Sequence, residues 1–150
     1  MQQLQIGDIV RITQPMYARL YSKWYTAHEQ RLITNAVGRR AQVRSIHEYN
    51  GKVRYRLRIE GTRTLTKYGF ELSEITYEST PPEPFPPQRF AIGERVVAPK
   101  ITGDQPREVL RATYFDEYND ILYQLDGSMR YYPRKELTSI DATTLHYTLF

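Results

Sequence analysis

Short stretches in which apolar and polar residues alternate recur along the chain, and they predict β-strands. The clearest is KVRYRLRI, at 52–59, where one face holds Val53, Tyr55, Leu57 and Ile59 and the other holds Lys52, Arg54, Arg56 and Arg58. Asn50-Gly51, directly before it, is a strong signal for a two-residue hairpin turn. We therefore predict a hairpin with a preceding strand at 40–47.

Three sequence blocks occur twice in the same order. IGDIVRI (6–12), EYNGKVRYRL (48–57) and ELSEI (71–75) are followed by IGERVVA (92–98), EYNDILYQL (117–125) and ELTSI (136–140). A repeat of this kind indicates a duplicated structural unit. Between the copies, STPPEPFPPQR holds five of the nine prolines and predicts a stiff spacer, with occupation of a groove as the alternative. The domains are therefore 1–78, a linker at 79–89, and 90–150 with a C-terminal tail.

Each copy predicts about five short strands, with a helical turn before the last. IGDIVRI followed by VGRRAQVRSI resembles the SH3-like barrels, including KOW and Tudor-type modules. Gly38, Ala41 and Val43 fit the KOW pattern G-x-x-G-x-V, with Ala41 in place of the second glycine. The opening also resembles small SH3-like subunits that dock on larger complexes. The resemblance implies a mostly β chain with two five-stranded SH3-like barrels in tandem.

The first copy carries about 17 additional residues within 14–35. Tyr17, Tyr21 and Tyr25 are four residues apart, which places them on one side of a helix if the segment is helical. One interpretation is an aromatic binding platform, and the other is a cap folded onto its own barrel. For the three tyrosines the two interpretations stay open.

Composition excludes several classes of protein. The 150 residues include no cysteine, which excludes disulfides and thiol chemistry and fits a cytoplasmic protein. No apolar run is long enough to span a bilayer, so we expect no membrane partner. His28, His47 and His146 lack the spacing of a helical zinc site, and no phosphate-binding glycine loop is present. The acidic stretch FDEYND (115–120) fits a polar hairpin better than a calcium site. We predict no cofactor and no enzymatic activity.

Positive charge is concentrated in the first copy. Residues 1–78 hold 13 Lys and Arg against 7 Asp and Glu, whereas residues 79–150 hold 8 against 10. The strand 52–59 has a cation at every second position, and its counterpart ILYQLD has none. A solvated face would mix both signs, because like charges side by side repel. A row of one sign indicates an anionic partner.

The leading hypothesis is a non-catalytic protein that binds a nucleic-acid backbone through the basic sheet face of the first copy. The alternative is an adaptor or inhibitor subunit that docks on an acidic protein surface. Oligomeric state is not predicted. The candidate partner-binding residues are Arg40, Arg44, Lys52, Arg54, Arg56, Arg58, Tyr17, Tyr21 and Tyr25.

Overall fold

The computed structural model describes residues 3–13, 26–63, 65–66, 69–100 and 105–140, and these are mostly β-structure. The N-terminal half (residues 3–79) contains four strands, a short helix and a 3-10 turn. In chain order they are β1 (Ile9–Ile12), α1 (Ala27–Asn35), β2 (Arg40–Tyr49), β3 (Lys52–Ile59), the 3-10 turn (Leu72–Glu74) and β4 (Ile75–Ser79).

Among its described residues, the C-terminal half (residues 90–140) repeats this order without the helix and with one additional strand before its 3-10 turn. Its elements are β5 (Arg95–Val97), β6 (Arg107–Phe115), β7 (Asp120–Leu125), β8 (Tyr131–Pro133), a 3-10 turn (Arg134–Glu136) and β9 (Thr138–Ser139). The helical turn predicted before the last strand is confirmed in both halves. The sequence predicts about five strands in each half, and the described residues contain four in the first and five in the second. Residues 64, 67 and 68 lie outside the described residues, and the neighbouring Leu65 and Phe70 form isolated bridges to β3.

The two β-hairpins differ in their turns. Asn50 and Gly51 both have positive φ, 53° and 77°, which confirms the two-residue turn predicted between β2 and β3. Between β6 and β7 the turn has four residues, 116–119, because Phe115 is paired with Asp120. Asn119 keeps the left-handed conformation of Asn50, with φ 47°. The EYN block therefore ends in a turn in both halves, but only the second turn contains all of it.

Strand pairing is equivalent in the two halves. The order is β4-β1-β2-β3 in the first and β9-β5-β6-β7-β8 in the second, all antiparallel. Matching hydrogen bonds recur: Gly7 N–H donates to Val43 O at 2.7 Å, and Gly93 N–H donates to Val109 O at 2.8 Å. Among the described strands no pairing joins the ends of this order, so the sheet is open.

A direct pairing of β2 with β6 joins the halves into one sheet. Ser45 is opposite Thr113, Ile46 opposite Ala112, and His47 opposite Arg111. Both strands have a bulge at matching places, after Val43 and after Val109. Ile46 and Ala112 each lie two residues after the bulged residue of their strand, so they are equivalent positions, and they pair with each other. The halves are therefore related by a local twofold axis, like the subunits of an isologous dimer.

One apolar core lies on a single side of this sheet. Tyr55 and Leu57 of β3 and Tyr123 and Leu125 of β7 are all buried in it, as the alternating pattern predicts. Because Ile46 and Ala112 are adjacent across the junction, buried residues of both halves belong to the same cluster. We use "outer face" for the opposite side of β3, β2, β6, β7 and β8.

The proline-rich segment packs against both halves. Ile6 N–H donates to Gln88 Oε1 at 2.7 Å, and Arg89 N–H donates to Tyr123 Oη at 2.8 Å. The ring of Phe85 stacks on Tyr114, with centroids 4.6 Å apart. β4 also extends through Ser79, the first residue of the predicted linker. The segment is therefore part of the packed structure and not a plain spacer.

Candidate anionic-partner interface

The cations of β3 lie on the outer face, opposite the core. Lys52 and Arg58 are exposed, whereas Arg54 and Arg56 are half-buried. Arg54 Nη2 is 3.9 Å from Glu71 Oε1, and Arg56 Nε donates to Thr66 O at 3.0 Å. The strand pairing thus places all four predicted β3 cations on one surface.

The β2–β6 junction extends this surface into the C-terminal half. Two rows of directly opposed residues cross five strands, from β3 through β2, β6 and β7 to β8. The first row is Arg54, His47, Arg111, Gln124 and Tyr131, and the second is Arg56, Ser45, Thr113, Leu122 and Pro133. Neither of these central rows contains an acidic residue. The basic surface is therefore shared by both halves.

His47 lies among three arginines. Burial lowers its pKa to about 4, and the positive charges of Arg111, Arg56 and Arg54 contribute to the decrease. Arg54 and Arg56 face it from β3, and Arg111 faces it from β6. The imidazole is therefore neutral at pH 7, and the three guanidinium groups carry the charge of the site.

Arg56 is close enough to the C-terminal half to respond to its charges. Burial lowers its pKa, the positive charge of Arg111 lowers it further, and Tyr131 of β8 acts in the opposite direction. Arginine nevertheless stays protonated in proteins. The charges of Arg111 and Tyr131 therefore act on Arg56 from the C-terminal half.

Two polar atoms in this cluster lack a hydrogen-bond partner. His47 Nδ1 and Arg54 Nε are shielded from solvent and make no hydrogen bond in the described part of the chain. An unsatisfied buried polar group typically costs about 1–3 kcal/mol.

Aromatic rings lie on and beside the basic surface. Phe115 contacts Tyr131 edge to face at 5.2 Å and is tilted against Tyr118 at 6.3 Å. Tyr49, opposite Lys52, and Tyr118, in the β6–β7 turn, are 67% and 66% exposed. The surface therefore combines cations with accessible rings.

The structure places Arg44 in the interior. It is 7% exposed, its Nε donates to Gln42 Oε1 at 2.6 Å, and its Nη1 is 3.0 Å from Asp116 Oδ1. Its guanidinium lies 4.8 Å from the centre of the Tyr114 ring. Arg44 connects the two halves and is not part of the accessible basic surface, because it is the bulged residue of β2.

Arg40 is accessible but its charge is paired. Its Nε is 2.9 Å from Glu78 Oε2, and Arg11 Nε is 2.5 Å from the other oxygen of the same carboxylate. The hydrogen bond from Arg11 and the charge of Arg40 hold the pKa of Glu78 below its usual value. Arg40 and Arg58 line a cleft of about 640 Å³ beside the proline-rich segment. Arg40 is paired with Glu78 there, whereas Arg58 makes no ion pair with the described residues.

Tyr17, Tyr21 and Tyr25 lie outside the described residues, so their prediction stays untested. The sequence prediction missed His47 as a central residue, together with Arg111, Phe115 and Tyr131. Repeat and alternation place them on strands, but only the β2–β6 pairing places them beside the β3 cations. That pairing has no signature in the sequence.

Other chemistry has little support in the described ranges. They contain no group of three or more His, Asp or Glu that could hold a metal ion. Asp116 pairs with Arg44, and Asp120 Oδ1 accepts a hydrogen bond from Ile121 N–H at 2.8 Å, so both have structural roles in the hairpin. No helix among these residues has the length and apolar character needed to cross a membrane.

Comparison with protein-family models, curated proteins and solved structures found no match.

Proposed function

We propose that this protein is a non-catalytic binding protein that holds an anionic partner, the backbone of a nucleic acid, on the outer face of its sheet. The proposal rests mainly on the composition of the two central rows. There, Arg54, Arg56 and Arg111 surround a neutral histidine, and neither row contains an acidic residue. Lys52 and Arg58 extend the positive charge along β3.

In the unliganded protein, repulsion between the clustered positive charges favours binding of an anion at this position. Three neighbouring guanidinium groups repel one another, and burial weakens the solvation that would screen them. A phosphate backbone relieves this repulsion and releases its own counterions, which makes binding favourable and salt-dependent. Residues two apart on a strand are about 6.6 Å apart, a spacing that allows successive side chains of β3 to contact a polymer of phosphates.

The proposal includes the finer architecture. Each half has the strand order and the helical turn before the last strand that the sequence associates with SH3-like modules. We propose that the halves are two such modules, joined edge to edge through β2 and β6 into a single binding unit.

The test removes the charges and keeps the fold. Changing Arg54, Arg56 and Arg58 together to Gln should lower affinity for a labelled oligonucleotide at least about a hundredfold at low salt, since each ionic hydrogen bond contributes about 1.5–3 kcal/mol and coupling reduces the sum. Fluorescence anisotropy measures this, and the slope of log K against log salt should decrease in magnitude.

The control variant changes Lys100, Arg134 and Lys135, all exposed in the C-terminal half, to Gln. It removes the same charge and should lose much less affinity. Equal losses of affinity in both variants would mean that binding depends only on the net charge of the protein. A wild-type protein that binds no oligonucleotide but binds an acidic protein would overturn the proposal in favour of the adaptor alternative.

A further inference from the structure

We propose that the junction of the two halves forms a composite site for single-stranded nucleic acid, in which Arg56 and Arg111 hold one phosphate and Phe115 and Tyr131 stack an adjoining base. This inference rests on the proposed function and narrows it. It assigns the binding site to residues of both halves, whereas the row of cations on β3 belongs to the N-terminal half only.

The phosphate position follows from the strand pairing. Arg56 extends from β3 and Arg111 from β6, on opposite sides of β2, with Ser45 and His47 between them. Arg111 faces His47 directly across the β2–β6 junction, and both Arg111 and Arg56 lie on the outer face of the sheet. Two arginines in this arrangement match the charge and the several acceptor oxygens of a phosphate.

In the free cluster the positive charge is only partly balanced. The central rows contain no carboxylate, and Arg111 has no ion pair among the described residues. The unpartnered atoms His47 Nδ1 and Arg54 Nε lie in the same cluster. A bound phosphate would supply negative charge to Arg56 and Arg111, which make no ion pair with the described residues, whereas Arg54 is 3.9 Å from Glu71.

The rings distinguish a single strand from a duplex. Phe115 is on the strand of Arg111, and Tyr131 is opposite Gln124 in the row of Arg111. Phe115 contacts Tyr131 edge to face at 5.2 Å, so the two rings form one aromatic cluster next to Arg111 and Gln124. In a duplex the base faces are covered by neighbouring pairs, whereas in a single strand they can stack on exposed aromatic side chains.

The first experiment compares three variants on a labelled oligothymidylate and on a duplex of the same length, by fluorescence anisotropy at low salt. Arg111→Gln should weaken single-strand binding about tenfold, which corresponds to the loss of one ionic contact. Phe115→Leu with Tyr131→Leu should weaken it at least about tenfold, since each stacked base contributes about 1–3 kcal/mol. Arg95→Gln, an exposed arginine of β5 opposite Glu108, is the matched control and should change it less than twofold.

The second experiment measures the site directly by NMR titration of His47. In the free protein its midpoint should lie near pH 4, where burial and Arg54, Arg56 and Arg111 place it. A phosphate beside the ring should raise the midpoint, because negative charge favours the imidazolium. The Arg95→Gln protein should show the same rise, and the Arg111→Gln protein should show a smaller one when oligothymidylate is added.

The outcomes separate this inference from the proposed function. If the triple β3 variant loses binding but Arg111→Gln and the double ring variant bind like wild type, the composite site is overturned and the proposed function stands. A midpoint of His47 that does not move on saturation also overturns the composite site. Equal or tighter binding of the duplex overturns the single-strand assignment, and no nucleic-acid binding by the wild type overturns both proposals.

Discussion

The outer faces of β3 and β7 differ in chemistry although the two strands occupy equivalent places in the halves. On β3 the outward residues are Lys52, Arg54, Arg56 and Arg58, whereas on β7 they are Asp120, Leu122 and Gln124. Their inward residues are nearly the same: Tyr55 and Leu57 correspond to Tyr123 and Leu125. The comparison separates what the fold requires from what one face adds. Apolar residues are required in both halves, and positive charge is required in neither.

The junction between the halves determines how the two outer faces, which differ in charge, are arranged. Because β2 and β6 pair through equivalent residues, the outer faces of the two halves become adjacent parts of one surface. The histidine on one side of the local twofold axis corresponds to Thr113 on the other, and Ser45 corresponds to Arg111. A single half would present only part of the basic cluster. The duplicated structure thus has an outer face with different chemistry on each side of its axis.

The largest expected effect comes from truncating the equivalent core leucines. Leu57→Ala and Leu125→Ala should each lower the free energy of unfolding by about 2–5 kcal/mol, because both side chains are buried in one core. Chemical denaturation followed by circular dichroism measures this. Since the halves share the core, each variant should still unfold in one transition. Two separate transitions would mean that the halves are stabilised independently.

Equivalent glycines test the packing of the proline-rich segment. Gly7 and Gly93 both have positive φ, 96° and 91°, so alanine at either should cost about 1–2 kcal/mol. A Cβ at Gly7 would also lie 2.6 Å from the ring of Phe85, whereas a Cβ at Gly93 meets nothing within 4 Å. Gly7→Ala should therefore cost about 1–3 kcal/mol more, measured by denaturation.

The matched control for the glycine pair is Phe85→Ala. In that background the difference between Gly7→Ala and Gly93→Ala should decrease, because the clash with the ring is removed. A difference that stays the same would contradict the packing of Phe85 against Gly7.

Sequence patterns predict the local structure of this chain well. Alternation places Tyr55 and Leu57 inward and the β3 cations outward, and Asn50-Gly51 marks the hairpin, all as the structure has them. These features depend on residues near one another in the chain, where the period of two of a strand and the conformational freedom of glycine apply directly.

Sequence patterns do not predict how the halves meet. The pairing of Ile46 with Ala112 joins two strands 66 positions apart, and backbone hydrogen bonds of a sheet edge do not depend on residue type. The alternation of apolar and polar residues predicts that Arg44 lies on the basic face. Because Arg44 is the bulged residue of β2, its side chain is instead buried at the junction of the two halves. Arg111 and His47 gain their importance only after that junction forms.

The next effect concerns Arg44, whose equivalent at the other bulge is Leu110. Arg44→Leu should lower the free energy of unfolding by about 1–3 kcal/mol, because Gln42 loses its donor and the contact with Tyr114 is lost. Asp116 is 79% exposed and remains solvated, which limits the cost. Affinity for oligothymidylate should change less than twofold. A loss of affinity like that expected for Arg111→Gln would instead include Arg44 in the binding surface.

The smallest expected effect is the pH dependence that His47 adds and Thr113, its equivalent, does not. The pKa of His47 is about 4 in the folded protein and near 6.5 in the unfolded chain, so the unfolded state binds more protons between these values. Its contribution to stability is complete above about pH 6.5 and decreases as the pH falls to about 4. Solvent screening at this half-buried site limits the loss to about 1 kcal/mol.

The measurement is the difference in unfolding free energy between wild type and His47→Gln across pH 7 to 4, which cancels the carboxylates that titrate in both. Wild type should lose relative stability as the pH falls. Bound oligothymidylate should reduce that loss, because its phosphate favours the imidazolium beside Arg56 and Arg111. A difference that is constant with pH would mean that His47 titrates alike in the folded and unfolded chains, and the arginine cluster around it would then be too open to concentrate positive charge.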